Sequence, residues 1–188
     1  LISPGNDPEG FRIELDAMLD ALESFPSIVV WVPFNEAWGQ HNTDEVLTHV
    51  MMRDPSRLVD GPSGWTDTGT GHMRDHHLYQ DAEKLPAHEE GRATVYGEFG
   101  GISLYVDGHV IVEKGWGYTK TETAEDLRAS YSQLLGDIAV LIPEGLAGVI
   151  YTQTTDVESE INGLLTYDRN YKLDPEILRS IHSQIVNR

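Results

Sequence analysis

The sequence contains no cysteine. That excludes disulfides, a thiolate zinc site and a cysteine nucleophile. Basic residues are scarce: 13 Lys and Arg stand against 31 Asp and Glu, a formal charge of −18 at pH 7. So little positive charge argues against a nucleic-acid partner, because phosphate recognition needs clustered Lys and Arg. It argues equally against binding to an anionic membrane surface. No apolar run approaches the roughly eighteen residues of a membrane-spanning helix. Internal repeats, low-complexity stretches and a linker that would divide the chain are also missing. What remains is 188 residues, 39% of them apolar and 23% charged, the balance of a globular chain able to bury a core.

Local chemistry marks the helices. Asp7-Pro8-Glu9 has the pattern of an N-cap followed by proline at the first helical position. Phe11, Leu15, Met18, Leu22 and Phe25 follow at helical spacing, and Pro26 closes the segment. A second helix is expected from Asn42 or Thr43 to about Arg53. A third opens at Thr121 or Thr123, with Leu127, Tyr131, Leu134, Ile138 and Leu141 on one face. Asp174-Pro175-Glu176 repeats the first capping signature and starts a last helix carrying Ile177, Ile181 and Ile185.

Between the helices lie short β-branched runs. Ile28–Val32 shows no alternation, as expected of a strand buried on both faces. Arg57–Asp60, His76–Gln80, Ala93–Gly97 and Leu146–Thr152 are the other strand candidates, and the glycine-rich segment 99–121 reads as a long loop. Helices alternating with apolar strands predict an α/β fold with parallel strands and crossover helices in a single domain.

In such folds the reactive side chains gather at the carboxyl ends of strands. Ile28–Val32 runs into Asn35-Glu36, and Ala93–Gly97 runs into Glu98. Each Glu is followed by aromatic and glycine residues. A pair of glutamates is what glycoside hydrolysis uses: one carboxyl donates a proton to the leaving oxygen, while the other, ionised, attacks the anomeric carbon or activates water. The charge of the ionised partner favours keeping the proton on the other. Either glutamate, taken alone, also fits a helix first-turn or loop carboxylate.

Several segments in order resemble one known family. Ser27–Gln40, reading SIVVWVPFNEAWGQ, is similar to the fourth-strand segment of the catalytic domain of glycoside hydrolase family 2, the family of β-galactosidases, β-glucuronidases and β-mannosidases. Asp54–Val59 and Ser63-Gly64-Trp65 resemble its fifth strand and following turn, and Asp75–Tyr79 its sixth strand. Tyr96–Gly101, reading YGEFGG, resembles the seventh-strand nucleophile motif. Tyr151–Glu158 and Ile161–Leu164 resemble the eighth strand and its loop in a bacterial β-galactosidase-like branch. The resemblance implies a partial (β/α)8 TIM barrel, strands four to eight with their helices. It thereby implies that the chain, which opens on Leu1, is the C-terminal part of a catalytic domain, without its first three strands and the preceding β-sandwich domains.

The resemblance also implies a retaining β-glycosidase with a carbohydrate substrate, in a bacterial glycan-degrading setting, and no cofactor. Glu98 becomes the nucleophile and Glu36 the acid/base. Asn35 is expected to hydrogen-bond a sugar hydroxyl, Tyr79 to orient Glu98, Trp65 to stack on a sugar ring, and His77 and Gln153 to contact substrate. Trp116, in the long loop, is a candidate lid. Some family members hold magnesium near the acid/base through ligands largely upstream of this chain, so no metal site is carried over. An open half-barrel is expected to self-associate through its edges. Two other readings stay open. One is a non-catalytic carbohydrate-binding piece. The other is a metal-dependent hydrolase using His72, Asp75 and His77, although His76 and His77, adjacent on a strand, face opposite ways.

Overall fold

The computed structural model describes residues 7–79, 85 and 89–186. The expected strand His76–Gln80 ends at Gln80, which lies outside them. The element order is α1 (Pro8–Leu22), β1 (Val30–Trp31), α2 (Thr43–Arg53), β2 (Leu58–Val59), β3 (Met73–Leu78), β4 (Ala93–Gly100), β5 (Ile102–Leu104), β6 (Thr119–Thr121), α3 (Ala124–Leu141), a 3-10 turn (Ile142–Glu144), β7 (Leu146–Thr152) and α4 (Pro175–Val186). The strands form three small sheets, all parallel, in the orders β1-β2, β3-β4-β7 and β5-β6.

This corrects the expected barrel. The helices and parallel strands of an α/β chain are present, but among the described residues the strands form separate small sheets and no barrel arrangement exists. The physical reason lies in the strands. β1 and β2 are two residues long and exchange only the register Val30↔Leu58 and Trp31↔Val59. Beyond them the backbone offers isolated bridges, Asn35↔Ser63 and Asp60↔Met73, in place of a continuous ladder. Nor is the Ile28–Val32 run buried on both faces: Trp31 is 4% exposed, whereas its neighbour Val32 is 47% exposed. Segment 99–121 is not simply a loop either, because β5 and β6 pair within it, Ile102↔Thr119 to Leu104↔Thr121.

The chain divides into two compact units. The first comprises Leu1–His77 with Ala87–Gly97, the second Leu78–Pro86 with Glu98–Arg188. In the first, α1 begins as expected: the Asp7 carboxylate accepts the Gly10 N–H at 2.9 Å and Pro8 occupies the first turn. Its buried face is Leu15 and Leu19, while Met18 and Phe25 of the expected stripe are exposed. Leu15 and Leu19 join Trp31, Phe34, Leu47, Val50 and Val59 in one apolar cluster. The Trp31 indole N–H is satisfied by Asp54 at 2.8 Å, and Asp54 in turn pairs with Arg57 at 2.7 Å. Donors from Ser56, Trp31 and Arg57 hold the Asp54 carboxyl well below the usual range.

In the second unit α3 opens with a reciprocal capping box between Thr123 and Asp126. It buries Leu127, Tyr131, Leu135 and Ile138, and it packs on α4, whose buried residues include Leu178 and Ile181. Truncating a fully buried leucine such as Leu127 to Ala costs about 2–5 kcal/mol in cores of this kind. The Tyr131 and Phe99 rings meet Tyr151 edge-on, at 5.0 and 5.7 Å between centroids. After β7 the chain is tied by a buried ion pair. Lys172 Nζ donates to Asp156 Oδ1 at 2.7 Å and to the Ile161 carbonyl at 2.8 Å, and Gly163 N–H donates to the same carboxylate oxygen.

Candidate active site

In the first unit the backbone beyond β1 brings Glu36 to Ser63. Ser63 N–H donates to the Phe34 carbonyl at 3.0 Å, and Glu36 N–H donates to the Ser63 carbonyl at 2.9 Å. Glu36 and Ala37 take φ of 52° and 59°. For residues bearing a Cβ this left-handed geometry is costly, and it is the kind of strain that persists where a side chain must be aimed. Glu36 Oε1 lies 2.8 Å from His77 Nδ1, with side chains 16% and 1% exposed respectively. The other ring nitrogen, Nε2, lies 2.7 Å from Ser63 Oγ. Ser63 donates its hydroxyl proton to Asp75 Oδ2 at 2.6 Å, and Gly97 N–H donates to Asp75 Oδ1 at 2.5 Å.

Asp75 and His77 sit two apart on β3 and so share one face of the strand. Gly97 has no room for a Cβ, which would strike the Asp75 carboxylate. Gly64, at φ +91°, lies against the His77 ring, where a Cβ would come within 3.0 Å of ring atoms. Trp65 is exposed, its ring 6.3 Å from that of His77. Asn35 is exposed, and its backbone bridges Ser63.

Asp60 stands behind this network. It is 3% exposed, and burial together with a hydrogen bond to Asp75 pushes its carboxyl up to about 8. The folded chain therefore binds this proton more tightly than the unfolded chain, whose Asp titrates near ~4. The resulting stability is full below that range and is lost as pH rises towards about 8. Asp60→Asn removes the titration while retaining a donor for Asp75. Urea unfolding at a series of pH values should show the wild type losing stability between about pH 5 and pH 8 relative to the variant. Parallel curves would contradict the assignment.

In the second unit Glu98 accepts a hydrogen bond from the Tyr79 hydroxyl. Burial first, and then the bond to Glu98, push the Tyr79 hydroxyl far above the usual phenol range, so it remains a donor. The Tyr79 ring is stacked flat on Tyr118 at 3.4 Å, and Tyr118 meets Trp116 edge-on at 5.5 Å. The backbone of Trp116, the candidate lid, is anchored on both sides. Its N–H donates to the Ser159 carbonyl, and its carbonyl accepts from Ile161 N–H, each at 2.8 Å. Gln153 is engaged within its own loop, donating to Asn162 Oδ1 at 3.0 Å.

The sequence-predicted residues thus fall into two groups, each described within its unit. Glu36 and His77 are bonded, with Trp65 beside them and Asn35 adjacent in sequence. Tyr79 and Glu98 are bonded, and Gln153 donates to Asn162. His72 and Asp75 have other partners: the Val59 N–H donates to His72 Nδ1 at 2.9 Å, and Asp75 serves Ser63 and Gly97. Among the described residues, no three-residue set of metal-competent side chains includes either. Ser63 and Tyr118 were not foreseen. The alternation Asp75-x-His77 was a usable signal for the face that Ser63 joins, whereas Tyr118 had none. No protein-family model and no curated protein sequence matches the chain. Among the described residues, no helix is long and apolar enough to cross a membrane.

Proposed function

We propose that the chain carries the catalytic glutamates of a retaining β-glycosidase related to glycoside hydrolase family 2, with a carbohydrate as substrate. One observation carries the reading: the two glutamates are held by partners of different kinds. Tyr79 is a donor that keeps its own proton, so Glu98 is left as an acceptor suited to nucleophilic attack. His77 is a ring that can share a proton, so Glu36 is equipped to give one up and take it back.

In the first step a Glu98 oxygen forms a bond to the anomeric carbon. The glycosidic C–O bond breaks with its electrons passing to the leaving oxygen, and Glu36 gives that oxygen a proton. In the second step water attacks the same carbon, its proton passes to Glu36, and Glu98 is released. The exposed indoles of Trp38 and Trp65 favour sugar stacking, and they would serve equally in a non-catalytic carbohydrate-binding piece. Self-association belongs to the same proposal, supported by Val29 and Ile150, 65% and 64% exposed beside or on strands of small sheets.

Glu36→Ala separates these readings. Hydrolysis of alkyl β-glycosides should fall by about 10²–10⁴-fold, while dinitrophenyl β-glycosides, whose leaving group needs no protonation, should lose far less. Equal losses for both classes would contradict the acid/base role. Absence of any glycoside turnover by the wild type, with sugar binding retained, would favour the binding piece.

A further inference from the structure

Behind Glu36, and reaching into the buried interior of the first unit, runs an unbroken chain of side chains: Glu36, His77, Ser63, Asp75 and Asp60. Two of them, Asp75 and Asp60, are 2% and 3% exposed. Their hydrogen positions follow by counting protons. Asp75 accepts from three donors: Gly97 N–H on Oδ1, the Ser63 hydroxyl on Oδ2, and the carboxyl of Asp60. Ser63 has a single hydroxyl proton, and it is committed to Asp75. Its oxygen can therefore only accept from His77 Nε2, 2.7 Å away. Nε2 must then carry a hydrogen. The contact between His77 Nδ1 and Glu36 Oε1 at 2.8 Å is left with one proton for two acceptors. Moving that proton fully onto a substrate oxygen leaves a ring lone pair facing a carboxylate, an arrangement that draws a proton back.

We infer that Asp75, acting through Ser63, is a positioning residue that fixes the Nε2–H tautomer of His77 and so places a shared proton on the Glu36 contact. This rests on the acid/base reading of Glu36. During glycoside cleavage the shared proton passes fully to Glu36 and from it to the leaving oxygen. The proton taken from water in the second step restores it. The Nε2–H and the Ser63 hydroxyl proton do not move. The charged and titratable groups near the ring include Glu36 on one side and the Asp75–Asp60 pair behind Ser63, with Arg92 acting on Asp60 at longer range. Gly64 and Trp65 hold the ring face.

Asp75→Asn reverses the counting. The amide donates to Ser63 Oγ, and the serine proton turns to His77 Nε2. The neutral ring then carries its hydrogen on Nδ1 and donates to an ionised Glu36 that has no proton to share. Two readouts test this on the 188-residue chain. The first is the ¹⁵N–¹H long-range correlation of the His77 ring. It should show a protonated Nε2 in the wild type and a protonated Nδ1 with neutral Nε2 in Asp75→Asn. The second is the ratio of dinitrophenyl to alkyl β-glycoside turnover, which should rise by about tenfold or more in Asp75→Asn. Ser63→Ala should raise the same ratio, and it keeps the test open if Asp75→Asn fails to fold.

A wild-type ring neutral at Nε2 would overturn the inference. So would a variant that slows both substrate classes by the same factor, which is the signature of a purely structural role. If the wild type turns over no glycoside, the acid/base reading fails, while the ring spectrum still decides the tautomer.

Discussion

Replacing Glu98 with Gln is expected to lower β-glycoside turnover by about 10⁴-fold or more, because the amide oxygen cannot form the glycosyl-enzyme bond. The substitution is nearly isosteric, and its carbonyl can still accept the Tyr79 hydroxyl that Glu98 accepts in the native chain. The fold, followed by thermal unfolding, should therefore survive. A loss in kcat with little change in KM for an activated substrate would fit a group acting on the reacting carbon. Wild-type turnover in this variant would remove Glu98 from the mechanism.

The second large effect concerns stability. Lys172→Met should destabilise the protein by about 3–5 kcal/mol, read as a drop in the urea midpoint. Lys172 and Asp156 side chains are 0% and 1% exposed, so the variant leaves Asp156 buried without its cation. Burial already pushes the Asp156 carboxyl up, and the Lys172 contact opposes that push. Asp156→Asn combined with Lys172→Met should recover part of the loss, because the charge is gone while the Gly163 N–H keeps an acceptor. A single-variant loss below about 1 kcal/mol would mean that the pair contributes no more than a surface ion pair.

How much of this was legible depends on how local each cause is. The starts of α1, α3 and α4 were readable because capping is decided by residues within one turn: Asp7 with Gly10, Thr123 with Asp126, Asp174 with Glu176. The position of β1 was readable from its β-branched run, but its burial was not. Exposure of Val32 beside buried Trp31 is set by what packs on each face, and no local pattern records that. The barrel failed for the same reason. Closure needs every strand to find partners on both sides, and β1 and β2, at two residues each, make a single short pairing. β5 and β6 were hidden because three residues are too few to show a period, and each residue's pairing partner lies 17 positions away.

At the site, Glu36, His77, Tyr79 and Glu98 were legible because strand ends and the Asp75–Tyr79 and Tyr96–Gly101 motifs pointed at them. Ser63 and Tyr118 were not, because each acts only through what the folded chain lays against it: the His77 ring in one case, the Tyr79 ring in the other. Gln153 illustrates the converse. Its place after β7 marked it for substrate, and the folded chain adds a partner no local pattern records: one amide N–H donates to Asn162.

The most direct test of the central claim is intact mass after exposure to a panel of activated 2-deoxy-2-fluoro β-glycosides, followed by peptide mapping. One sugar adduct is expected, on Glu98, and it should be absent from Glu98→Gln. An adduct on any other residue, or none across a panel of glycosides that the protein hydrolyses, would contradict the claim.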